Sequence, residues 1–240
     1  SSVVVVKPDE LPLLENDYFQ SLYVDEGQDL CNEYCLDHLD RVLEGGLQNS
    51  TWRWFGDFQN QLGCEVEFSS DVFELLTGLT GNNAVFLLTR NVRNTPSVIH
   101  WLEAVCQARM GETKVRGSGP EVIIEDQSLF PILLNEVLQD PTLQESPDEA
   151  VVMIYPEAFT EVFDIAPFRS QLNLKNIPSI DSESFKGLES EVVFAWVPEN
   201  LTDDKLSDYL YKSVSRARAI CFVLGVDGKK LLDQVVRISS

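Results

Sequence analysis

The sequence predicts an α/β fold of parallel sheets with helices on both faces. Short runs of apolar, β-branched or aromatic residues alternate along the chain with segments in which apolar residues recur at helical spacing. Several of the strand-like runs are continuously hydrophobic, which is typical of strands that are covered on both faces in a parallel sheet. The chain has 240 residues, of which 44% are hydrophobic and 24% charged, so it can bury a substantial core.

The predicted strands are runs bounded by turn residues, and they lie at Phe19–Val24, Thr51–Phe55, Ala84–Leu88, Glu121–Ile124, Ala150–Tyr155, Glu191–Trp196 and Ala219–Leu224. The predicted helices lie between them, at Cys31–Leu43, Asp71–Leu79, Thr95–Ala108, Leu129–Leu138 and Asp203–Arg216. The glycine- and asparagine-containing stretch Gly78–Asn83 is the best candidate for a linker. We therefore expect a boundary near residue 82, which separates a domain 1–82 from a domain 83–240.

Composition excludes several classes of protein. No apolar run approaches the roughly 20 residues of a membrane-spanning helix, so no membrane association is expected. Five unevenly spaced cysteines in a chain of this size indicate reduced thiols and a cytoplasmic protein. The 39 acidic and 18 basic residues give a net charge of −21, which argues against strong non-specific DNA binding. The basic residues concentrate at 90–116 and 205–230, where they form either a local positive groove or solvated helix faces.

Acidic and amide side chains follow two of the predicted strands. Asp25 and Glu26 come directly after the first strand, and Asp57 and Gln59 come after the second. Open α/β sheets place their ligands at the carboxyl ends of the strands, so these groups are expected at one sheet edge. In a phosphoryl-transfer site the first acid would hold Mg²⁺ and the second would orient an attacking water molecule.

Three further blocks follow in the second half of the chain. The segment 87–93 closes a predicted strand and opens a helix, a suitable place for an arginine that faces a phosphate. Residues 184–189 precede another strand, and residues 211–218 end a helix just before the last strand.

The five blocks, in this order, resemble motifs II to VI of superfamily 1 DNA helicases of the UvrD/Rep type. The matching segments are DEGQD at 25–29, GDFQ at 56–59, NVR at 91–93, FKGLE at 185–189 and SVSRAR at 213–218. The resemblance extends from Leu22 to Leu224, almost the whole chain. It implies two RecA-like domains, of which the first is partial and the second complete.

The resemblance also implies catalytic roles. Asp25 would coordinate Mg²⁺ through water, and Glu26 would act as the general base. Gln59 would sense the γ-phosphate of ATP. Arg93 and Arg216 would serve as arginine fingers from the second domain.

The remaining roles concern the nucleotide and the DNA. Glu189 would contact the ribose of ATP, and Lys186 and Gly187 would lie near the nucleotide or the DNA strand. The expected cofactors are ATP and Mg²⁺, and the expected partner is single-stranded or tailed DNA.

The sequence also departs from the family pattern. It contains no phosphate-binding loop of the form GxxxxGK[ST], and the nearest similar segment, Gly228–Lys230, is predicted to be a surface turn with a helix start. The segment 60–64 lacks the aromatic residue and arginine that normally follow motif III. Roughly 90 residues separate the fourth and fifth blocks, too few for the large helical insertion of UvrD-type enzymes. We expect the missing N-terminal part of the same polypeptide to supply the loop, and this chain alone to hydrolyse ATP negligibly.

Two other interpretations remain open. An ATPase-inactive, helicase-like binding module would fit the acidic composition and the altered segment after Gln59. A zinc site at Cys31, Cys35 and His38 would need a fourth ligand, and at helical spacing the two cysteines are expected to face the core. With His38 and His100 as the only histidines, the sequence argues against a Ser-His-Asp or Cys-His hydrolase.

Overall fold

The computed structural model describes residues 3–14, 18–58, 69–80, 84–115, 121–141, 150–157 and 176–239. The chain forms two compact units, Ser1–Leu87 and Leu88–Ser240. Each unit has apolar clusters of its own. Their assignment as the partial first and complete second domains of a helicase motor stays a prediction. Within the described ranges, no helix is both long enough and apolar enough to cross a membrane.

The first unit is built around a pair of parallel strands. Strand β1 (Ser21–Val24) pairs with β2 (Thr51–Trp54), with Ser21 opposite Thr51 and Val24 opposite Trp54. The helices of this unit are α1 (Glu33–Val42), α2 (Gly46–Asn49) and α3 (Ser70–Leu79).

Side chains cap the two longer helices of this unit. Asn32 caps α1 by accepting a hydrogen bond from the backbone N–H of Cys35, and Ser69 caps α3 by accepting one from Val72. Such caps satisfy backbone donors that a helix start leaves unpaired. The caps therefore set where each helix begins.

The second unit contains a five-stranded parallel sheet. Its strands are β5 (Val122–Asp126), β6 (Val151–Tyr155), β7 (Ser179–Asp181), β8 (Ser190–Val197) and β9 (Ala217–Gly225), in the spatial order β5-β9-β8-β6-β7. Every pairing in this sheet is parallel. A separate short parallel pair joins β3 (Arg90–Asn91) to β4 (Glu112–Thr113).

Helices cover both faces of the five-stranded sheet. Helices α4 (Pro96–Cys106), α6 (Asp203–Val214) and α7 (Gly228–Ile238) pack on one face, and α5 (Phe130–Leu138) packs on the other.

The strands alternate their buried side chains between these two faces, as the period of two in a strand requires. In β8, Val193 packs toward the first face and Phe194 toward the second. Phe194 stacks on Phe222 at a centroid distance of 4.9 Å and meets Phe130 edge-on at 5.1 Å. The predicted α/β class, with parallel sheets and helices on both faces, is confirmed, and the sheet is consistent with a RecA-like domain.

One predicted strand was wrong. Residues Ala84–Leu88 form no strand, and the side chains of Phe86 and Leu88 are 83% and 93% exposed. Their β-branched and aromatic composition fits a pleated, half-buried surface, but no strand among the described residues lies beside them to provide one. Strand structure begins only at Arg90, where β4 supplies hydrogen-bonding partners.

Candidate functional site

The acids of the first two blocks lie at one edge of the β1–β2 sheet. Asp25 follows β1 directly, and Asp57 lies three residues after the end of β2. Because the strands are parallel and paired, both segments leave the sheet at the same end. Backbone hydrogen bonds extend the pairing, since Gly27 N donates to Phe55 O at 2.7 Å and Phe55 N donates to Val24 O at 2.9 Å.

Gln28 connects these two acidic segments. Its Nε2 donates to Glu26 Oε2 at 2.8 Å, and its Oε1 accepts a hydrogen bond from the backbone N–H of Asp57 at 3.0 Å. The side chain is buried, so these bonds are shielded from water. A Cβ at Gly56 would lie 2.7 Å from Gln28 Oε1, so a side chain at residue 56 would force Gln28 to shift. Gln28 was missed by sequence reasoning as a connecting residue, although its position between acids in a block after a buried strand was a usable signal.

The turn after β1 has an unusual backbone conformation. Glu26 has φ 49° and ψ 43°, in the left-handed region that non-glycine residues rarely adopt. Such a conformation stores strain of about 1–3 kcal/mol and persists where the surrounding structure enforces it. Here the indole of Trp54 packs against the turn, and a Cβ at Gly27 would meet Trp54 Nε1 at 1.8 Å. The turn therefore packs closely against Trp54, and the Glu26 carboxylate accepts a hydrogen bond from Gln28.

Asp25 and Gln59 are the other site residues predicted from these two blocks. Asp25 is exposed, and its Oδ1 accepts a hydrogen bond from Glu26 N at 3.1 Å. Gln59, the predicted γ-phosphate sensor, lies outside the described residues.

In the second unit, an arginine of the fourth block and an arginine of the sixth block both contact a glutamate of the fifth block. Arg93 Nε lies 2.8 Å from Glu189 Oε2. A terminal nitrogen of Arg218 lies 3.6 Å from Glu189 Oε1 and 3.4 Å from Glu191 Oε1. We call these four residues the arginine–glutamate cluster. It lies at the amino end of β8 and β9, because Glu189 directly precedes β8 and Arg218 is the second residue of β9.

Asn94 joins the fourth block to the sixth through buried hydrogen bonds. Only 2% of this residue is exposed. Its Nδ2 donates to Ser215 O at 2.9 Å and lies 3.5 Å from Ala217 O, the two carbonyl groups on either side of Arg216. Sequence reasoning missed Asn94, since a polar residue beside a helix start reads as an ordinary cap.

Asn91 fixes the backbone around Arg93. Its Oδ1 accepts hydrogen bonds from the backbone N–H groups of Arg93 at 2.9 Å and Asn94 at 2.8 Å. Its Nδ2 donates to Asn94 Oδ1 at 3.1 Å. The backbone of the predicted arginine finger is therefore fixed, and its side chain retains its own rotations.

The two predicted arginine fingers differ in exposure. The side chain of Arg93 is 38% exposed, whereas Arg216 is 4% exposed. The backbone of Arg216 is held between the strands, since its carbonyl accepts a hydrogen bond from Ser190 N at 3.1 Å. Arg93 is therefore the more accessible of the two to a ligand at the surface of this unit.

The loop that carries Lys186 and Gly187 is a compact turn. Asp181 Oδ1 accepts a hydrogen bond from Ser184 N at 2.8 Å, and Lys186 N donates to Glu183 O at 3.0 Å. Gly187 has φ 81°, a conformation that glycine adopts without cost. The side chain of Phe185 is buried in the core and anchors the loop.

Lys212 fastens this loop to helix α6. Its Nζ forms an ion pair with Glu183 in the loop and a second one, at 2.8 Å, with Asp208 one turn earlier in the helix. Lys212 is 9% exposed, so neither it nor Arg216 lies on a solvated helix face. The interpretation of the 205–230 basic residues as solvated faces is wrong for these two.

Two hydroxyl groups beside the cluster are buried without hydrogen-bond partners. They are Thr95 Oγ1, next to Asn94 at the start of α4, and Ser190 Oγ, next to Glu189; within the described part of the chain neither makes a hydrogen bond. Leaving a buried hydroxyl unpaired costs about 1–3 kcal/mol, so such groups call for a functional or structural explanation.

The zinc interpretation is not supported. Cys31 and Cys35 are both buried in apolar clusters, as expected for core residues. Burial raises the pKa of the Cys31 thiol to about 11, which disfavours the thiolate that binds metal. His38 Nδ1 lies 2.9 Å from the carbonyl oxygen of Tyr34 on the same helix. Across the described residues no group of three histidine, cysteine or acidic side chains is placed to hold a metal ion.

Comparisons with known proteins give a weak structural similarity. No protein-family model matches the chain, and no curated protein matches it. Among solved structures, the chain is similar to the C-terminal domain of a possible DNA helicase from Lactobacillus plantarum WCFS1, with a TM-score of 0.41 and 18% sequence identity. The similarity covers 60% of this chain and 94% of that domain. At this level of similarity, any assignment of function depends on the residues of the chain itself.

Proposed function

We propose that the chain is part of an ATP-driven superfamily 1 DNA helicase or translocase of the UvrD/Rep type. The observation that carries the proposal is the meeting of three blocks far apart in sequence, because Arg93 and Arg218 both contact Glu189 directly. A ligand shared by the three blocks would require them to meet in this way.

The first unit would hold the metal ion and activate the attacking water molecule. Mg²⁺ prefers oxygen ligands and is commonly bound by one or two carboxylates plus water molecules, so the exposed Asp25 fits this ion. When bound, Mg²⁺ neutralises charge on the phosphates. Glu26, held in position by Gln28, would take a proton from the attacking water molecule. The left-handed backbone at Glu26 would preorganise that carboxylate for the reaction.

The second unit would stabilise the negative charge that develops on the transferred phosphoryl group. Arg93 has an exposed guanidinium on a fixed backbone, and an arginine in this role contributes about 10³–10⁵ in rate. Lys186 lies in the compact turn described above, and Glu189 follows it. Both would contact the nucleotide, Glu189 through the ribose. Arg216 would contribute from its buried position at the start of β9.

The DNA would be held by backbone contacts from a few local basic groups. A net charge of −21 opposes binding of a phosphate backbone over most of the surface, so the affinity of this chain alone for single-stranded DNA should be low and sensitive to salt.

A second candidate function is a helicase-like binding module without ATPase activity. The excess of 39 acidic over 18 basic residues favours it, because such a surface suits basic protein partners better than nucleic acid. The two candidates differ in whether the full-length polypeptide hydrolyses ATP.

The test is the ATPase activity of the full-length polypeptide with single-stranded DNA. We expect Glu26→Gln and Arg93→Ala each to lower kcat by about 10³-fold or more. Arg41→Ala is the control, because Arg41 forms an exposed ion pair with Asp37 on α1 and has no role in the proposed site. If wild-type protein shows no ATPase activity with any DNA, the motor proposal fails and the binding module is favoured. Activity that survives Arg93→Ala would remove Arg93 from the mechanism.

A further inference from the structure

We propose that Glu189 is an electrostatic latch that competes with polyphosphate anions for Arg93 and Arg218. The proposal rests on the proposed nucleotide site of the second unit and concerns how that site is regulated. Its basis is the order of charges in the arginine–glutamate cluster, where Glu189 lies between the two arginines and contacts both.

The contacts of Glu189 show what an incoming anion must displace. Oε2 lies 2.8 Å from Arg93 Nε, and Oε1 lies 3.6 Å from a terminal nitrogen of Arg218. Both carboxylate oxygens thus face arginine nitrogens. An anion that binds Arg93 through the same nitrogen has to take the place of this carboxylate.

The cluster is exposed enough for such an exchange. The side chains of Arg93 and Glu189 are 38% and 39% exposed, so water and ions reach the pair. Exposed ion pairs are weak, which means that a multiply charged anion can replace a single carboxylate. The fixed backbone at Arg93 confines the change to the side chains, and no rearrangement of the loop or helix is required.

The exchange would couple two contacts to the same nucleotide. While Glu189 is paired with Arg93, its oxygens are engaged by guanidinium groups. Once a phosphate takes Arg93, the Glu189 carboxylate can accept a hydrogen bond from a sugar hydroxyl. Phosphate binding and ribose binding would then occur together, and an anion without a sugar would gain only the first contact.

Glu191 provides a matched control within the cluster. Its side chain is 38% exposed, almost the same as Glu189, and it carries the same charge. It approaches Arg218 at 3.4 Å, and among the described residues no ion pair joins it to Arg93. Neutralising either glutamate changes the net charge by the same amount, so any difference between the two variants reports position and not total charge.

The experiment is calorimetric titration of this chain with inorganic tripolyphosphate at low salt. We expect Glu189→Gln to raise the affinity about threefold to tenfold, because a weak competing pair and a repelling charge are both removed. Glu191→Gln should raise it less than about twofold. The double variant Glu189→Gln with Arg93→Ala should lose the gain. Melting followed by circular dichroism checks that each variant folds.

Three results would overturn the latch. They are equal gains for the two glutamine variants, a gain that survives loss of Arg93, and no detectable binding by Glu189→Gln. The latch proposal and the motor proposal can be rejected independently of each other. A gain in affinity without ATPase activity in the full-length polypeptide retains the latch and rejects the motor, and activity without a gain rejects only the latch.

Discussion

Replacement of Asn94 by alanine should destabilise the second unit substantially. The substitution removes the donor to Ser215 O and the acceptor for Asn91 Nδ2, both of them side-chain contacts of a residue that is 2% exposed. Each partner left unpaired in a buried setting costs about 1–3 kcal/mol. Since Asn91 is partly accessible to water, we expect a total of about 2–4 kcal/mol.

Urea unfolding followed by near-UV circular dichroism measures this effect. With a denaturant dependence of about 2 kcal/mol per molar, the midpoint should fall by roughly 1–2 M. Asn135→Ala is the matched control, because Asn135 is exposed on α5 and alanine favours the helix there, so the midpoint should hardly change. If Asn94→Ala and Asn135→Ala shift the midpoint equally, Asn94 does not hold the blocks together and the argument from its hydrogen bonds is refuted.

Two further predictions concern buried ionisable groups. Lys212→Met should lower the free energy of unfolding by about 1–2 kcal/mol in urea titrations, because it leaves Glu183 and Asp208 without their cation; both acids are partly exposed, which limits the cost. Lys205→Met on the exposed side of the same helix should have no such effect, and equal effects would contradict the role of the ion pairs. Burial raises the pKa of Cys31 from 9.0 to about 11, so stability linked to this thiol is present below pH 9 and lost as the pH rises toward 11. Cys31→Ala should reduce the loss of stability between pH 9 and pH 11 in thermal melts, and an unchanged pH profile would show that another group causes it.

The local pattern of apolar residues predicted the main strands and helices well, because burial determines which residue types they contain. Val192–Ala195 is apolar at every position since both faces of β8 are covered, and such a run is readable without a structure. Ala84–Leu88 has the same kind of composition but lies exposed. Composition records the preference of a segment for a pleated surface, and it does not record whether a partner strand is present.

The sequence motifs pointed to the charged residues of the candidate site but not to the hydrogen bonds that connect its segments. Arg93 and Glu189 were chosen from their motif positions, and the structure places them in contact. Gln28 and Asn94 make the hydrogen bonds that hold the blocks together, yet each is a single amide whose partner is far away in sequence or on another strand. A single sequence carries no distance information about such pairs, so only a folded structure reveals them.

The arginine–glutamate cluster lies at the amino end of β8. The opposite end of the same strand carries none of the four cluster residues. Strand β8 has eight residues, so at about 3.3 Å per residue its two ends are roughly 23 Å apart. At the far end, Glu199 and Lys230 border an open cleft of about 320 Å³. Charges there are separated from the cluster by more than two Debye lengths at physiological ionic strength. Loops at that end are therefore suitable attachment points for a dye, a tether or an additional domain, because changes there leave the electrostatic environment of Arg93 undisturbed.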